Sequence, residues 1–222
     1  GTAQTGAAIW NQGGVLVMKS CVISRCHAVA IIASDTVYGG AITNDGGEIT
    51  LDSCEITDCT TTADSVDGFR YGGGLCNRDT QDSLGWAELF DCVFTQCKSR
   101  AGGAIASWAL LTMARCRFQS NWALNNGGAI NNLGSPFLTM DRCVFERNMV
   151  VEGYGGAVEN GAGVGTVTAT TCVFAGNYAP YGLAIVHISG DLNLLNSTFI
   201  KGNLTGLALT GLRSDANFIA TP

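Results

Sequence analysis

Positive charge is scarce in this chain, and what is missing narrows its function before any motif is considered. Lysine and arginine number 12 against 18 acidic residues, which gives a net charge of -6 and a pI near 4.7. No basic cluster is visible along the sequence. That balance excludes a nucleic-acid phosphate backbone or an anionic membrane surface as the expected partner. Long apolar runs are also missing. The longest, around Ala28 to Ala33, is far short of the ~20 residues of a membrane span, so no direct membrane insertion is expected. Helical spacing is nowhere sustained, no linker interrupts the chain, and no secretory leader is visible. Gly1 to Ile9 already enters a repeat, so the chain is expected to be a processed or excised segment of a longer protein. Histidine is limited to His27 and His187. Their phase, and the wide spacing between cysteines, do not suit a zinc site, and neither a metal nor a cofactor is expected.

Glycine is abundant, at 30 residues, and it recurs in register. Gly-Gly-Ala-Ile or a close variant begins at Gly6, Gly39, Gly72, Gly102, Gly127, Gly155, Gly182 and Gly206, with spacings of 33, 33, 30, 25, 28, 27 and 24 residues. Repeats of that period mean a solenoid. A second motif, Cys-x-(Phe/Ile)-x-x-(Asn/Cys), alternates with the first. It begins at Cys21, Cys54, Cys92, Cys116, Cys143 and Cys172, with a degenerate copy at Ser197. Short alternating segments such as Leu111-Thr112-Met113 lie just upstream of most copies. Each repeat therefore holds three strand-like pieces, and low charge fits strands that are largely buried.

The fold class expected is all-β: a right-handed, single-stranded parallel β-helix of about seven to eight coils, forming one solenoid over 1–222. Three such strands close into a coil only if each pairs with its equivalent in the next coil, here giving three parallel sheets with rungs about 4.8 Å apart. The right hand follows from the preference of parallel crossovers. Alternation places the Cys and the Phe or Ile two residues on inside, as two stacked ladders. Asn11, Asn44, Asn77, Asn132 and Asn160 recur two residues after the glycine motif's last apolar position, with Ser107 and His187 as substitutes. Asn tolerates left-handed backbone, and its amide can bond to the turn or to the Asn one rung away. The paired glycines suit a corner that needs positive φ or leaves no room for a Cβ.

Ten cysteines follow the same register. Six belong to the interior ladder and are expected to be buried thiols, because parallel Cβ vectors do not point at one another. Cys26, Cys59 and Cys97 replace Asn at the end of the second motif, and Cys26 with Cys59 is the most plausible bridge. Cys76 is expected on the outward face.

Irregular sequence is concentrated at Thr60 to Tyr71 and Arg78 to Trp86. These insertion loops read either as solvated connectors or as an acidic, aromatic-bearing edge for a partner. On the second reading Phe69, Arg70, Tyr71, Asp79 and Trp86 are the candidate binding residues. Asn196-Ser197-Thr198 is a sequon, and Asn196 is the better glycosylation candidate; the second sequon residue, Asn203, is expected to be too buried at its turn.

The paired motifs, clean at Gly127 to Ile130 with Phe145 to Asn148 and at Gly155 to Val158 with Phe174 to Asn177, resemble the polymorphic membrane proteins of chlamydiae, whose passenger domains carry GGA(I/L/V) and FxxN repeats. The first three repeats depart, with Cys where that family has Asn. The resemblance implies an extracellular or cell-surface adhesive or structural module, with no catalytic residues to carry over. Its partners are expected to be a protein or glycan at the cell surface and neighbouring domains or subunits at the solenoid ends. The alternative is a polysaccharide-cleaving β-helix enzyme, a lyase or hydrolase. That chemistry needs clustered carboxylates or a calcium site with a basic residue. Asp52, Asp91 and Asp141 are not contiguous, Glu159 reads as a solvated lone carboxylate, and His187 reads as a turn substitute.

Overall fold

The computed structural model describes residues 2–3, 5–30, 36–62, 68–134, 137–161, 165–200, 209–211 and 217–221. They form a right-handed parallel β-solenoid in which every strand pairing is parallel, in register along the long sheet and with a register shift between Ser99 and Ala101 where Lys98–Ala101 meets Trp122–Asn126. Among the described residues the sheets number four, not three. An amide sheet runs through Ile9–Gln12, Ile42–Asp45, Leu75–Arg78, Ile105–Ser107, Ile130–Asn132, Val158–Asn160, Ile185–His187 and Leu209–Gly211. A long sheet runs from Val15–Lys19 to Asn217–Thr221, and a ring sheet of three-residue strands from Val22–Ser24 to Thr198–Ile200. A fourth, branched sheet includes Thr2–Ala3, His27–Val29, Thr60–Thr62, Lys98–Ala101, Trp122–Asn126 and Met149–Val150, together with Val37–Tyr38 and Arg70–Tyr71.

The extra sheet comes from corners made of single left-handed residues. Ser53 (φ 55°) bends the chain out of the long sheet, and Asp58 (φ 52°) bends it again after only three paired residues. Equivalent corners recur at Asp91 and Gln96, at Arg115 and Ser120, and at Arg142 and Arg147, always one residue before the ladder Cys or the terminal Cys or Asn. Each such residue costs roughly 1–2 kcal/mol relative to ordinary backbone, which the rung-to-rung packing offsets. The amide-sheet asparagines are not themselves left-handed; Gly13 and Gly46, in the turns that follow, are. Their amides do bond as expected. Asn44 donates to the Gly47 carbonyl at 2.6 Å and to Asn77 one rung on at 2.8 Å. The ladder breaks at Ser107, whose hydroxyl donates to the Ala109 carbonyl instead and leaves Asn132 Oδ1 without a partner.

The two glycines of each pair do different work. Gly102 takes φ 65°, whereas a Cβ on Gly103 would lie 2.2 Å from the Gly128 carbonyl oxygen of the next coil. Inside, Phe94, Phe118, Phe145, Phe174 and Phe199 stack with ring centroids 4.8–5.2 Å apart and planes within 11° of parallel. Ring spacing thus equals rung spacing. The ladder sulfurs point at backbone of the preceding coil, as Cys116 Sγ does to the Leu89 carbonyl at 3.4 Å. All ten cysteines are free thiols, Cys26 and Cys59 included. The bridge expected between those two is not formed, because they stack in parallel with Cys97, and Cys59 donates to the Thr57 carbonyl at 3.3 Å. Asn121, Asn148 and Asn177 continue that column, each amide donating to the carbonyl of a Phe one coil back.

Candidate functional site

The outer face of the amide sheet is a groove floor. Thr43, Cys76, Ala106, Asn131, Glu159 and Val186 follow one another in register along it, and all are buried. Outward-pointing residues are buried because rows on either side rise above them. One side is the corner residue just before each glycine pair: Tyr38, Tyr71, Ala101, Asn126, Tyr154 and Tyr181, again in register. The other side carries Arg78, at the end of its amide-sheet strand, with Trp108 and Leu133 in the turns that leave the sheet. Cys76 therefore faces outward as expected but is fully covered, and burial holds its thiol well above the ordinary range.

Aromatic rings close the early part of the groove. Phe69 and Tyr71 stack at 6.1 Å, Tyr71 and Tyr38 at 5.9 Å, and Trp108 stands edge-on to Tyr71 at 4.6 Å. The Arg78 guanidinium lies 3.9 Å over the Tyr38 ring and bonds to Asp45, which also accepts the Trp10 indole N–H at 2.7 Å. A cavity of about 450 Å³ opens here, lined by Phe69, Tyr71, Asp79 and Trp108 among others. A smaller one of about 120 Å³ follows where the tyrosine row is interrupted, lined by Phe69, Arg70, Tyr71, Arg100, Ala101, Asn125, Asn126, Asn131 and Leu133.

A third cavity, of about 510 Å³, lies against the branched sheet and gathers Arg25, Arg70, Lys98 and Arg100 with His27, Asp58 and Trp122. A basic cluster thus exists that the linear sequence does not display, since coil stacking brings together cations up to 75 positions apart. Burial, helped by the like charge of Arg100, lowers the Arg70 pKa. The His27 ring is held between the Thr60 hydroxyl at 2.6 Å and the Thr62 hydroxyl at 2.7 Å.

Of the candidate binding residues, Phe69, Tyr71 and Asp79 meet in one cavity, and Arg70 joins Phe69 and Tyr71 in the next. Trp86 does not join them. It opens a strand of the long sheet between Glu48 and Leu110 and lines none of these cavities. The expected loop at Thr60 to Tyr71 includes strands at Thr60–Thr62 and Arg70–Tyr71, and its residues 63–67 lie outside those described. Asp79 also anchors the second loop by accepting the Gly85 N–H at 2.7 Å. Tyr38 and Trp108 were missed. The signal for the tyrosines was present, since Tyr38, Tyr71, Tyr154 and Tyr181 all stand directly before the glycine motif.

The carboxylates weighed for catalysis are engaged elsewhere. Asp91 takes two bonds from Arg115 at 2.7 Å each, Asp52 pairs with Lys19 at 3.4 Å, and Asp141 with Arg142 at 2.7 Å. His187 accepts from Asn160 at 3.1 Å and donates to the Gly190 carbonyl at 3.0 Å, so both ring nitrogens serve the amide ladder. Glu159 is the exception. It is 3% exposed rather than solvated, its Oε2 has no partner among the described residues, and burial pushes its carboxyl up to about 8. Asn196 is exposed, at a left-handed corner. Asn203 lies outside the described residues.

Residues 2–199 match the family described as the right handed beta helix region. The chain belongs to that β-helix family. No curated protein and no solved structure matches it. Within a right-handed β-helix the coils act as a rigid ruler, so the rows on either side of the groove keep the spacing of the rungs.

Proposed function

We propose that this β-helix is a non-catalytic binding module of an extracellular or cell-surface protein, and that it holds a glycan in the groove over the amide sheet. The observation that carries the reading is the cluster of Tyr38, Phe69, Tyr71 and Trp108 on paired strands and tight turns, with Phe69 55% exposed beside a cavity. Aromatic walls with a few convergent polar groups are what a ligand site requires. The basic cavity on the branched sheet supports acidic as well as neutral partners. The paired glycine and FxxN motifs support kinship with chlamydial passenger domains, and the exposed Asn196 sequon is compatible with a secreted protein. The first coil supports contacts with a neighbouring domain or subunit: Ile9, Leu16, Met18 and Ile23 are only partly buried there, and Val15, Val17 and Val22 are exposed.

Retention on immobilised neutral and acidic polysaccharides tests the reading. The wild type is expected to be retarded on at least one, the double variant F69A/Y71A to elute freely, and W86A to behave as wild type. Retardation of none would overturn it. A second reading, glycan cleavage, is favoured only by Glu159, a buried carboxyl on the groove floor that stays largely protonated at neutral pH. Release of new reducing or unsaturated ends, lost in E159Q, would replace the binding module with an enzyme.

A further inference from the structure

The interrupted tyrosine row supplies a more specific site. Every coil places a corner residue beside the groove, and the rungs on either side of the interruption carry Tyr71 and Tyr154. At the two rungs between them stand Ala101 and Asn126, and the space a pair of phenol rings would fill is the cavity of about 120 Å³. At about 30 Å³ per water, that is room for about four waters. It suits the hydroxyl-bearing edge of one ring and excludes a bulkier group.

Three polar atoms in this cavity are not consumed by the fold. Asn131 is fully buried, yet neither its Oδ1 nor its Nδ2 has a hydrogen-bond partner, and Asn125 Oδ1 is also buried without one. Leaving such atoms unpaired costs about 1–3 kcal/mol each, so a native site with three of them needs an occupant. Together they offer one two-hydrogen donor and two acceptors. Neighbouring hydroxyls, each of which donates and accepts, match that set. Arg70 and Arg100 also line the cavity, but an anion drawn to them would leave both amide oxygens unmet, and a cation would leave the Asn131 Nδ2 unmet and face two like charges. Phe69, Tyr71 and Leu133 add flat and apolar surface to the same cavity.

We propose that the cavity at Asn131 is a subsite for a single neutral sugar residue, whose vicinal hydroxyls bond to the Asn131 amide and Asn125 Oδ1 while its C–H face rests on Phe69 and Tyr71. The proposal rests on the glycan-binding reading of the groove and names the unit recognised. Its test is saturation-transfer NMR with free galactose, glucose, mannose and N-acetylglucosamine on the whole chain. At least one sugar is expected to receive saturation from the protein. Ala101→Tyr restores the tyrosine row and plugs the cavity, so it is expected to abolish the transfer without lowering the melting temperature. Asn131→Ala, tolerated because Ala106 occupies the same floor position one rung earlier, is expected to weaken binding at least about tenfold. Trp86→Ala, on the long sheet and outside the cavity, is expected to leave it unchanged. Transfer to none of the sugars overturns the subsite, as does transfer that survives equally in A101Y and N131A. A sugar bound at this cavity with no retention on any polysaccharide would instead sink the broader function and leave the subsite standing.

Discussion

Asn131 and Glu159 are register partners on adjacent strands of the amide sheet, and both are buried with polar atoms that no described neighbour satisfies. Two such residues in succession on one face mark the part of the groove where the fold's own demands stop explaining the side chains. Among the described residues the inward amide ladder shows such a defect where it is broken at Ser107, which leaves Asn132 Oδ1 unpaired.

Glu159 makes stability depend on pH in a defined direction. Burial raises its folded-state carboxyl from an ordinary 4.5 to about 8. The neutral form is therefore favoured in the folded state, and its contribution is fully present below pH 4.5 and lost as the pH rises through 8. Glu159→Gln is expected to match wild type in denaturant melts at pH 4. Above pH 8 it is expected to be more stable, by on the order of 4 kcal/mol if no relaxation occurs. Equal pH profiles for the two proteins would show that Glu159 is solvated after all.

The phenylalanine stack is expected to behave as one core. Phe145 is fully buried, with rings at 4.9 and 4.8 Å on its two sides. Phe145→Ala is expected to cost about 3–5 kcal/mol, read as the shift in unfolding midpoint, whereas Phe145→Leu is expected to cost less because it keeps most of the volume.

The thiols are expected to separate by position in alkylation followed by mass spectrometry. Cys92, Cys116, Cys143 and Cys172 are buried in the interior column, and Cys116 is held well above the ordinary thiol range by its bonds to Cys143 and Cys92 and by burial. They are expected to remain unmodified until the chain unfolds. Cys21, half-exposed in the first coil, is expected to react first. Rapid modification of Cys116 in the folded protein would contradict the packing.

Two glycines are expected to respond to alanine for different reasons. Gly103→Ala forces a Cβ to 2.2 Å from the Gly128 carbonyl oxygen and separates two coils, so its cost should exceed the usual 1–3 kcal/mol of overpacking. Gly13 has φ 68° with nothing within 4 Å of an added Cβ. Its change to Ala is expected to cost only the left-handed penalty of roughly 1–2 kcal/mol.

The interior of this protein was legible from its sequence because it obeys a period. Cys116, Phe118 and Asn121 recur at the same spacing in the next coils, so alternation alone sends the first two inward. The fourth sheet was not legible. Its corners use Ser53, Asp58, Gln96 and Arg115; Ser and Asp are turn formers but Gln and Arg at the equivalent positions are not, so no consistent residue type marks the corner, and the stacking of neighbouring coils holds all four at positive φ. The bridge expected between Cys26 and Cys59 failed for the reason that already argued against bridges in the other column: residues stacked in register keep their Cβ vectors parallel.

The candidate site was half legible. Phe69, Tyr71 and Asp79 stood out as aromatic and polar residues in irregular sequence, and they do share a cavity. Trp86 stood out equally and lies on another sheet, since a loop's sequence does not say on which side of its turn a residue falls. Tyr38 and Trp108 each belong to a different coil from Tyr71, and their meeting depends on rung stacking.

By itself, the sequence determined the repeat, the parallel pairing, the two inward ladders and the amide column, because each is a local pattern multiplied by a constant period. Only the tertiary structure decided which outward residues see water. Cys76, Asn131 and Glu159 alternate outward like any solvent-facing position, yet they are buried because corner and turn residues from neighbouring rows rise on both sides of them. Burial of an outward face is a property of the gap between rows, and no strand's own sequence encodes the height of its neighbours.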